Sequence, residues 1–318
     1  MQGQINQNIM RVNFLVLLSL SLLLFSCNNS QPKEGEGYLK VPGGEIWYKV
    51  IGTGKKPPIV MLHGGPGFPS YSLTPLFELA DDRQIIVYDQ LSCGRSTNSA
   101  DTTLMNMESQ LKDLKALLSK LKITDFYLYG HSYGTMLAVD YYFKNENLPS
   151  ALILASPCMS TKIWEQDADT LINSMDTAFS RPLKNFKAGN YKDTGNYSKA
   201  IIAYYSSFYN RKMNQYIDSS VARNGQNLYL HMWGKEEFLA TGNLKNYNRI
   251  KDLQKISIPT LLSAGEFDAA RPNTVKFYQS LIPNAKFSMI ANAGHSTMND
   301  NTQADVKAIR DFLQSIEK

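Results

Sequence analysis

Ser132 stands in Gly130-His131-Ser132-Tyr133-Gly134, a G-x-S-x-G pattern between the apolar run Phe126-Tyr127-Leu128-Tyr129 and Met136-Leu137-Ala138-Val139. Strand, sharp turn and helix in that order hold a serine in strained backbone geometry and lift its hydroxyl above a sheet. The flanking glycines leave room for neighbouring chain to pass. Gly and Ser also fill ordinary turns, so the chemistry depends on partners. An activated serine needs a base for its proton, an acid to orient that base, and donors for the oxyanion that forms on attack. Asp268 closes the run Leu261-Leu262-Ser263-Ala264-Gly265-Glu266-Phe267-Asp268, and His295 closes Phe287-Ser288-Met289-Ile290-Ala291-Asn292-Ala293-Gly294-His295. Alone, either would be a turn-capping aspartate or a loop histidine. Together, in the chain order Ser132, Asp268, His295, they read as a catalytic triad. His63-Gly64-Gly65-Pro66-Gly67 follows the apolar run 59–62, where a glycine lets a backbone N–H face the reaction centre. The Gly65 and Tyr133 N–H groups are the expected oxyanion donors. The bland alternative is a Gly/Pro turn; a phosphate-binding loop would need a G-K-[ST] ending that is absent. His63 reads as structural.

These residues need a sheet to carry them. Residues 45–50, 59–62 and 85–88 are strand candidates, the last two continuously apolar, as suits central strands covered on both faces. Met107, Leu111, Leu114, Leu117, Leu118 and Leu121 fall at helical spacing with lysines opposite, which predicts a helix over 107–121 packed on that sheet. A strand over 126–129, a helix from Tyr133, strands over 152–155, 258–262 and 286–290, a helix over 273–281 and a last helix with Val306, Ile309, Phe312, Leu313 and Ile316 on one face continue the alternation. Alternating strands and helices predict an α/β fold with a mostly parallel sheet and helices on both faces. Residues 158–248 break the pattern: they are Asn- and Tyr-rich, helical in character, and read as an inserted cap between core segments 38–157 and 249–318.

The chain of 318 residues with 43% hydrophobic content can bury a large core. Its net charge of +5 comes from 33 basic residues scattered among 28 acidic ones, without the basic stripe that nucleic-acid binding requires. Cys27, Cys93 and Cys158, with His63, His131, His231 and His295, show no metal-ligand spacing, so no structural zinc is expected, and a serine hydrolase of this kind is expected to use no metal and no organic cofactor. Cys93 and Cys158, beside apolar strands, read as buried thiols, with a bridge between them the alternative in an oxidising compartment. Residues 14–25 are almost purely apolar, preceded by Arg11, too short to span a membrane and laid out as a secretory signal. Leu24-Phe25-Ser26-Cys27 resembles a bacterial lipobox. The expectation is a lipoprotein signal over 1–27, lipidated at Cys27, and a polar tether over 28–37; an ordinary signal peptide ending in cysteine is the alternative.

With Tyr88-Asp89-Gln90-Leu91-Ser92-Cys93-Gly94-Arg95-Ser96 and Met232-Trp233-Gly234-Lys235-Glu236-Glu237-Phe238 added to the motifs above, the chain from about Tyr38 onward resembles the proline iminopeptidase family of α/β-hydrolases. The resemblance implies the α/β-hydrolase fold and release of amino-terminal residues, preferably proline, from short peptides or amino-acid amides. It also implies that Glu237 pairs with the substrate's free amino group, within aromatic cap walls that include Trp233. In that family a second acidic residue follows the triad aspartate, where this chain has Ala269. Glu236 and Glu266 are the candidates to replace it. The alternatives are an esterase, lactonase or amidase of small acyl substrates and, in another class, a non-catalytic ligand-binding lipoprotein. An epoxide hydrolase or dehalogenase would carry an aspartate where Ser132 stands.

Overall fold

The computed structural model describes residues 31–192 and 194–317. Cys27 and the expected leader over 1–27 lie outside the described residues. In chain order the elements before the nucleophile turn are β1 (Gly35–Val41), β2 (Gly44–Ile51), β3 (Lys56–Leu62), a 3₁₀ stretch (Ser70–Asp81), β4 (Arg83–Tyr88) and α1 (Met107–Leu121). Then come β5 (Tyr127–His131), α2 (Tyr133–Lys144) and β6 (Ala151–Ala155). Between β6 and β7 the chain runs through α3 (Thr161–Ser174), α4 (Thr177–Lys187), α5 (Thr194–Phe208), α6 (Gln215–Ala222) and α7 (Gln226–Met232). It closes with β7 (Thr260–Gly265), α8 (Pro272–Leu281), β8 (Ala285–Ile290), α9 (Thr297–Asp300) and α10 (Thr302–Gln314).

The eight strands form one sheet in the order β1-β2-β4-β3-β5-β6-β7-β8. β1 and β2 run antiparallel, β2 pairs antiparallel with β4, and every later pairing is parallel. Side chains alternate across the sheet with period two. Val60, Leu62, Ile86, Leu128 and Leu152 face a core layer closed by Leu111, Leu114, Leu117 and Leu118 of α1 and by α2. Ile59, Met61, Ile85, Val87 and Tyr129 face a second layer closed by Leu73, Leu76 and Leu79 and by Val306, Ile309 and Phe312 of α10. Both faces are therefore covered, and β3 to β6 read as near-continuous apolar runs for that reason.

Two expectations change. The tether expected to run to Gly37 stops earlier, because β1 begins at Gly35 and pairs with β2 from Gly35↔Val50 onward. β1 is an edge strand, largely exposed, and is held by main-chain bonds that need no apolar alternation. β7 starts after Pro259 and runs on through Ser263-Ala264-Gly265, past the residues expected from hydropathy, because its small residues admit the neighbouring β8 loop.

Sheet order reverses about β3, which has β4 on one side and β5 on the other. The carboxyl ends beside such a switch point are where open α/β sheets place their sites. The loops after β3, β5, β7 and β8 carry Gly65, Ser132, Asp268 and His295, and so open at that end.

Candidate active site

Ser132 links β5 to α2 with φ 54° and ψ −121°, a conformation that costs on the order of 1–3 kcal/mol for a non-glycine residue. Its surroundings over-determine it: its N–H donates to Ala155 O at 3.0 Å, and its carbonyl accepts from Thr135 N–H at 2.9 Å and Thr135 Oγ1 at 2.6 Å. Close packing also dictates the flanking glycines. A Cβ on Gly130 would lie 2.3 Å from Gly134 O, and one on Gly134 would lie 2.3 Å from Leu62 O.

Asp268 and His295, 27 residues apart, are brought together with Nδ1 and Oδ1 at 2.7 Å. The aspartate receives three further donors: Ala270 N–H at 2.7 Å on Oδ1, and Ser156 Oγ at 2.6 Å and Gly265 N–H at 3.0 Å on Oδ2. A buried carboxylate with four donors is an acceptor of fixed direction, so it orients the imidazole with Nδ1–H inward. Nε2 is buried and, among the described residues, has no hydrogen-bond partner, Ser132 Oγ included. Bonds of this kind often tighten only once substrate is bound.

Three rings enclose the imidazole, those of His131 at 4.9 Å, Tyr209 at 5.1 Å and Trp164 at 5.4 Å between centroids. His131 Nε2–H donates to His295 O at 2.8 Å, and Ser156 Oγ lies 3.0 Å from the same carbonyl. Burial, and then the neighbouring His295, push the His131 pKa down to about 3. His131 is thus a neutral brace at working pH and no rival base.

Gly65 has φ 107°, and a Cβ there would stand 2.5 Å from both Gly67 N and Phe68 N, so only glycine fits. Tyr133 opens α2, whose leading N–H groups have no acceptor inside the helix. His63 holds the Gly65 loop: its Nε2 accepts from Gln90 N–H at 2.9 Å and its Nδ1–H donates to Gly64 O at 2.9 Å. Gln90 Oε1 accepts from Gly67 N–H at 2.9 Å. Beneath it, Asp89 accepts from Ser70 and from the backbone and guanidinium of Arg95, which is clasped between Trp47 and Tyr71 at 3.4 and 3.9 Å. The Asp-Gln and Gly-Arg-Ser segments of the motif therefore brace the loop.

Glu237 follows α7. It is half-buried and accepts a hydrogen bond from the Tyr229 hydroxyl, while its carbonyl accepts from Trp164 Nε1–H at 2.9 Å. Burial raises its pKa, opposed by the Tyr229 bond and by the charge His295 carries when protonated. Tyr205, Tyr209 and Tyr229 are held neutral by burial and by the adjacent Glu237 charge. A carboxylate among neutral phenols is a setting that favours a cation. Trp233 is buried, donates to Glu236 O at 3.2 Å and lies edge-on to Trp164.

Between residues 57 and 302 the chain matches the family model described as alpha/beta hydrolase fold. A proline iminopeptidase of Heyndrickxia coagulans is 34% identical over 286 residues, covering 88% of this chain and 99% of that one. The chain belongs to the proline iminopeptidase family of α/β-hydrolases. The crystal structure of VinJ is similar with a TM-score of 0.83 and 27% identity, covering 90% of this chain and 100% of that one. A Mycobacterium smegmatis proline iminopeptidase structure has the same TM-score at 24% identity, covering 89% and 98%, and shares the fold. Membership makes this protein a hydrolase, an α/β-hydrolase peptidase.

Against the family pattern, Ala269 is buried and its N–H donates to Phe208 O at 3.2 Å. Glu266 does not replace the missing acid. It is exposed, and its carboxylate accepts from Asn292 N–H at 3.0 Å. Glu236 is buried next in sequence to Glu237 and raises its pKa. Asp167 of α3 is also buried, but Arg271 Nη1 meets it at 3.1 Å. Sequence reasoning missed Ser156, Tyr209 and Tyr229 as parts of the site, and took His131 only as a motif letter. Nothing local marks them. Cys93 and Cys158 are buried free thiols, and among the described residues no cluster of His, Cys, Asp or Glu is arranged to hold a metal.

Proposed function

We propose that the protein is a serine aminopeptidase that releases amino-terminal residues, preferably proline, from short peptides or amino-acid amides through an acyl-enzyme. Ser132 Oγ attacks the first carbonyl carbon while His295 Nε2 takes its proton, and Asp268 keeps the imidazole oriented. The N–H groups of Gly65 and Tyr133 hold the oxyanion, and His295 returns the proton to the leaving amine. Water, activated by the same nitrogen, then releases the acyl group. Residues 158–248 act as a cap whose aromatic walls, Trp233 among them, fit a pyrrolidine ring and exclude long chains. The observation that carries the amine specificity is the half-buried Glu237 carboxylate, bonded by Tyr229 and set among aromatic rings that reach His295.

A second reading, an esterase or amidase of small acyl groups, is favoured by Ala269 and by the outward placement of Glu266. The deciding experiment is kcat/KM for prolyl and alanyl anilides, their acetylated forms and a simple acyl ester. Preference for the free-amine prolyl anilide supports the aminopeptidase. Turnover confined to neutral esters or blocked amides supports the second reading.

We also propose export and lipid anchoring at Cys27, supported by the order of basic, apolar and lipobox-like residues. Cys27→Ser should move the protein from a salt-resistant membrane fraction to the soluble fraction or leave its leader uncleaved. Unlipidated wild type in the soluble fraction would defeat the anchor.

A further inference from the structure

Asp300, the last residue of α9, is a buried carboxylate outside the triad that, among the described residues, accepts from main-chain N–H groups of the nearby histidine loop and of the distant segment after α5. Oδ2 accepts from Gly294 N–H at 2.8 Å and from Arg211 N–H at 3.3 Å, and Oδ1 accepts from Lys212 N–H at 2.8 Å. Its own carbonyl takes the Lys212 ammonium at 2.7 Å. Gly294 immediately precedes His295, and Arg211 lies two residues beyond Tyr209, whose ring packs on the imidazole.

The same seam carries further bonds. Phe208 O accepts from His295 N–H at 2.9 Å and from Ala269 N–H at 3.2 Å, and Tyr209 O accepts from Ser296 N–H at 2.9 Å. Ser296 Oγ donates to Asn210 Oδ1 at 2.6 Å. The end of α5 is thus stitched to the loops that carry both Asp268 and His295, and Asp300 closes the stitch from below. Farther back on α5, Tyr204 and Tyr205 continue the aromatic wall towards Glu237.

We propose that Asp300 is a positioning residue for His295, clamping the histidine loop to the end of α5 so that the base and the Tyr209 wall keep one relative geometry. This rests on the serine-hydrolase reading above. The physical requirement is an acceptor on both carboxyl oxygens, because Gly294 and Lys212 N–H groups approach different ones. An asparagine offers one acceptor and turns an N–H₂ against the other donor, a mismatch inside the protein. Misplacing a catalytic group by about 1 Å costs up to ~10²-fold in rate.

The test is Asp300→Asn, with competent sites counted by a fluorophosphonate that labels Ser132 and with kcat, KM and Tm measured on a prolyl anilide. The expected result is a fall in kcat per labelled site of about ten- to a hundredfold, with KM within about twofold of wild type. If only Tm and the labelled fraction fall while kcat per labelled site is unchanged, Asp300 is merely structural and the proposal is overturned. Should Asp300→Asn fail to fold, Ser296→Ala, which removes the side-chain bond to Asn210 in the same seam, is expected to lower kcat per labelled site several-fold. An unchanged value would overturn the proposal. A wild type that does not label at Ser132 would overturn the serine reading and this inference together, whereas a labelled wild type beside an unaltered Asp300→Asn overturns this inference alone.

Discussion

The two halves of the candidate site are held by different means. On the sheet side, Asp268 takes four donors, the Ser132 turn is fixed by Ala155 and Thr135, and the Gly65 loop is pinned by His63 and Gln90. On the inserted side, Glu237 stands in a turn after a short helix, with one phenol on its carboxylate and one indole on its carbonyl. β3, β5 and β7, which lead to Gly65, Ser132 and Asp268, are each bonded to two neighbouring strands and cannot shift singly, and β8, which leads to His295, is bonded to β7. The turn that carries Glu237 is bonded within the inserted segment, Leu239 N–H to Glu236 O at 3.1 Å, Thr241 N–H to Trp233 O at 2.7 Å and Ala240 N–H to Glu165 Oε1 at 2.9 Å, and, among the described residues, not to the sheet. On the function proposed above, the difference assigns reaction chemistry and substrate choice to separable parts of this molecule, joined where the end of α5 meets the histidine loop.

The most severe break in that comparison is Ser132→Ala, which should lower kcat on every substrate by about 10⁴- to 10⁶-fold. Alanine keeps the Cβ that strains this backbone, so Tm should be unchanged. Near wild-type turnover in a stopped assay of the purified variant would rule out the serine as nucleophile.

Next in size is Glu237→Ala. Losing one partner of a desolvated ion pair costs roughly 2–5 kcal/mol, about thirtyfold to several thousandfold in kcat/KM. The loss should fall on free-amine prolyl anilide and spare its acetylated form. Equal losses on both would mean that Glu237 supports the inserted helices and does not read the amine.

A smaller effect separates the two halves by pH. Only ionised Glu237 pairs with an ammonium, and burial places its pKa above the ordinary carboxylate range, with Tyr229 and protonated His295 opposing and Glu236 adding to the rise. The ratio of kcat/KM for free-amine over acetylated substrate should therefore fall as pH drops through that raised value, before ordinary carboxylates titrate. Glu237→Gln should flatten the ratio. A wild-type ratio independent of pH across the acidic range would detach Glu237 from amine binding.

The smallest expected change is a gain. Ala269→Glu restores the acid of the family pattern and should increase discrimination against acetylated substrate by about tenfold. Because Ala269 is buried, the larger side chain should also lower stability by about 1–3 kcal/mol, read as a lower Tm. Unaltered discrimination in a folded variant would show that position 269 does not face the amine.

Local pattern determined a good deal. The helix Met107–Leu121 follows from the spacing of its leucines alone, because one face of a helix is a property of a single segment. The apolar runs that became β3, β4, β5 and β6, and the alternation that made the sheet parallel, were legible for the same reason. So was the placement of Ser132, Asp268 and His295 at strand ends, where an apolar run gives way to a turn. β1 was not legible, since an exposed edge strand with Glu36 and two glycines is selected by its partner β2 and not by its own hydropathy. Nor was the placement of Glu266 at the surface and Glu237 half-buried beside Tyr229, two residues of one type whose environments differ only after folding. Ser156 reaches Asp268 across 112 residues and His131 reaches His295 across 164. Such bonds form only when the strands have already paired, so the order of chemical groups belongs to the sequence, and their distances and their bracing belong to the tertiary structure.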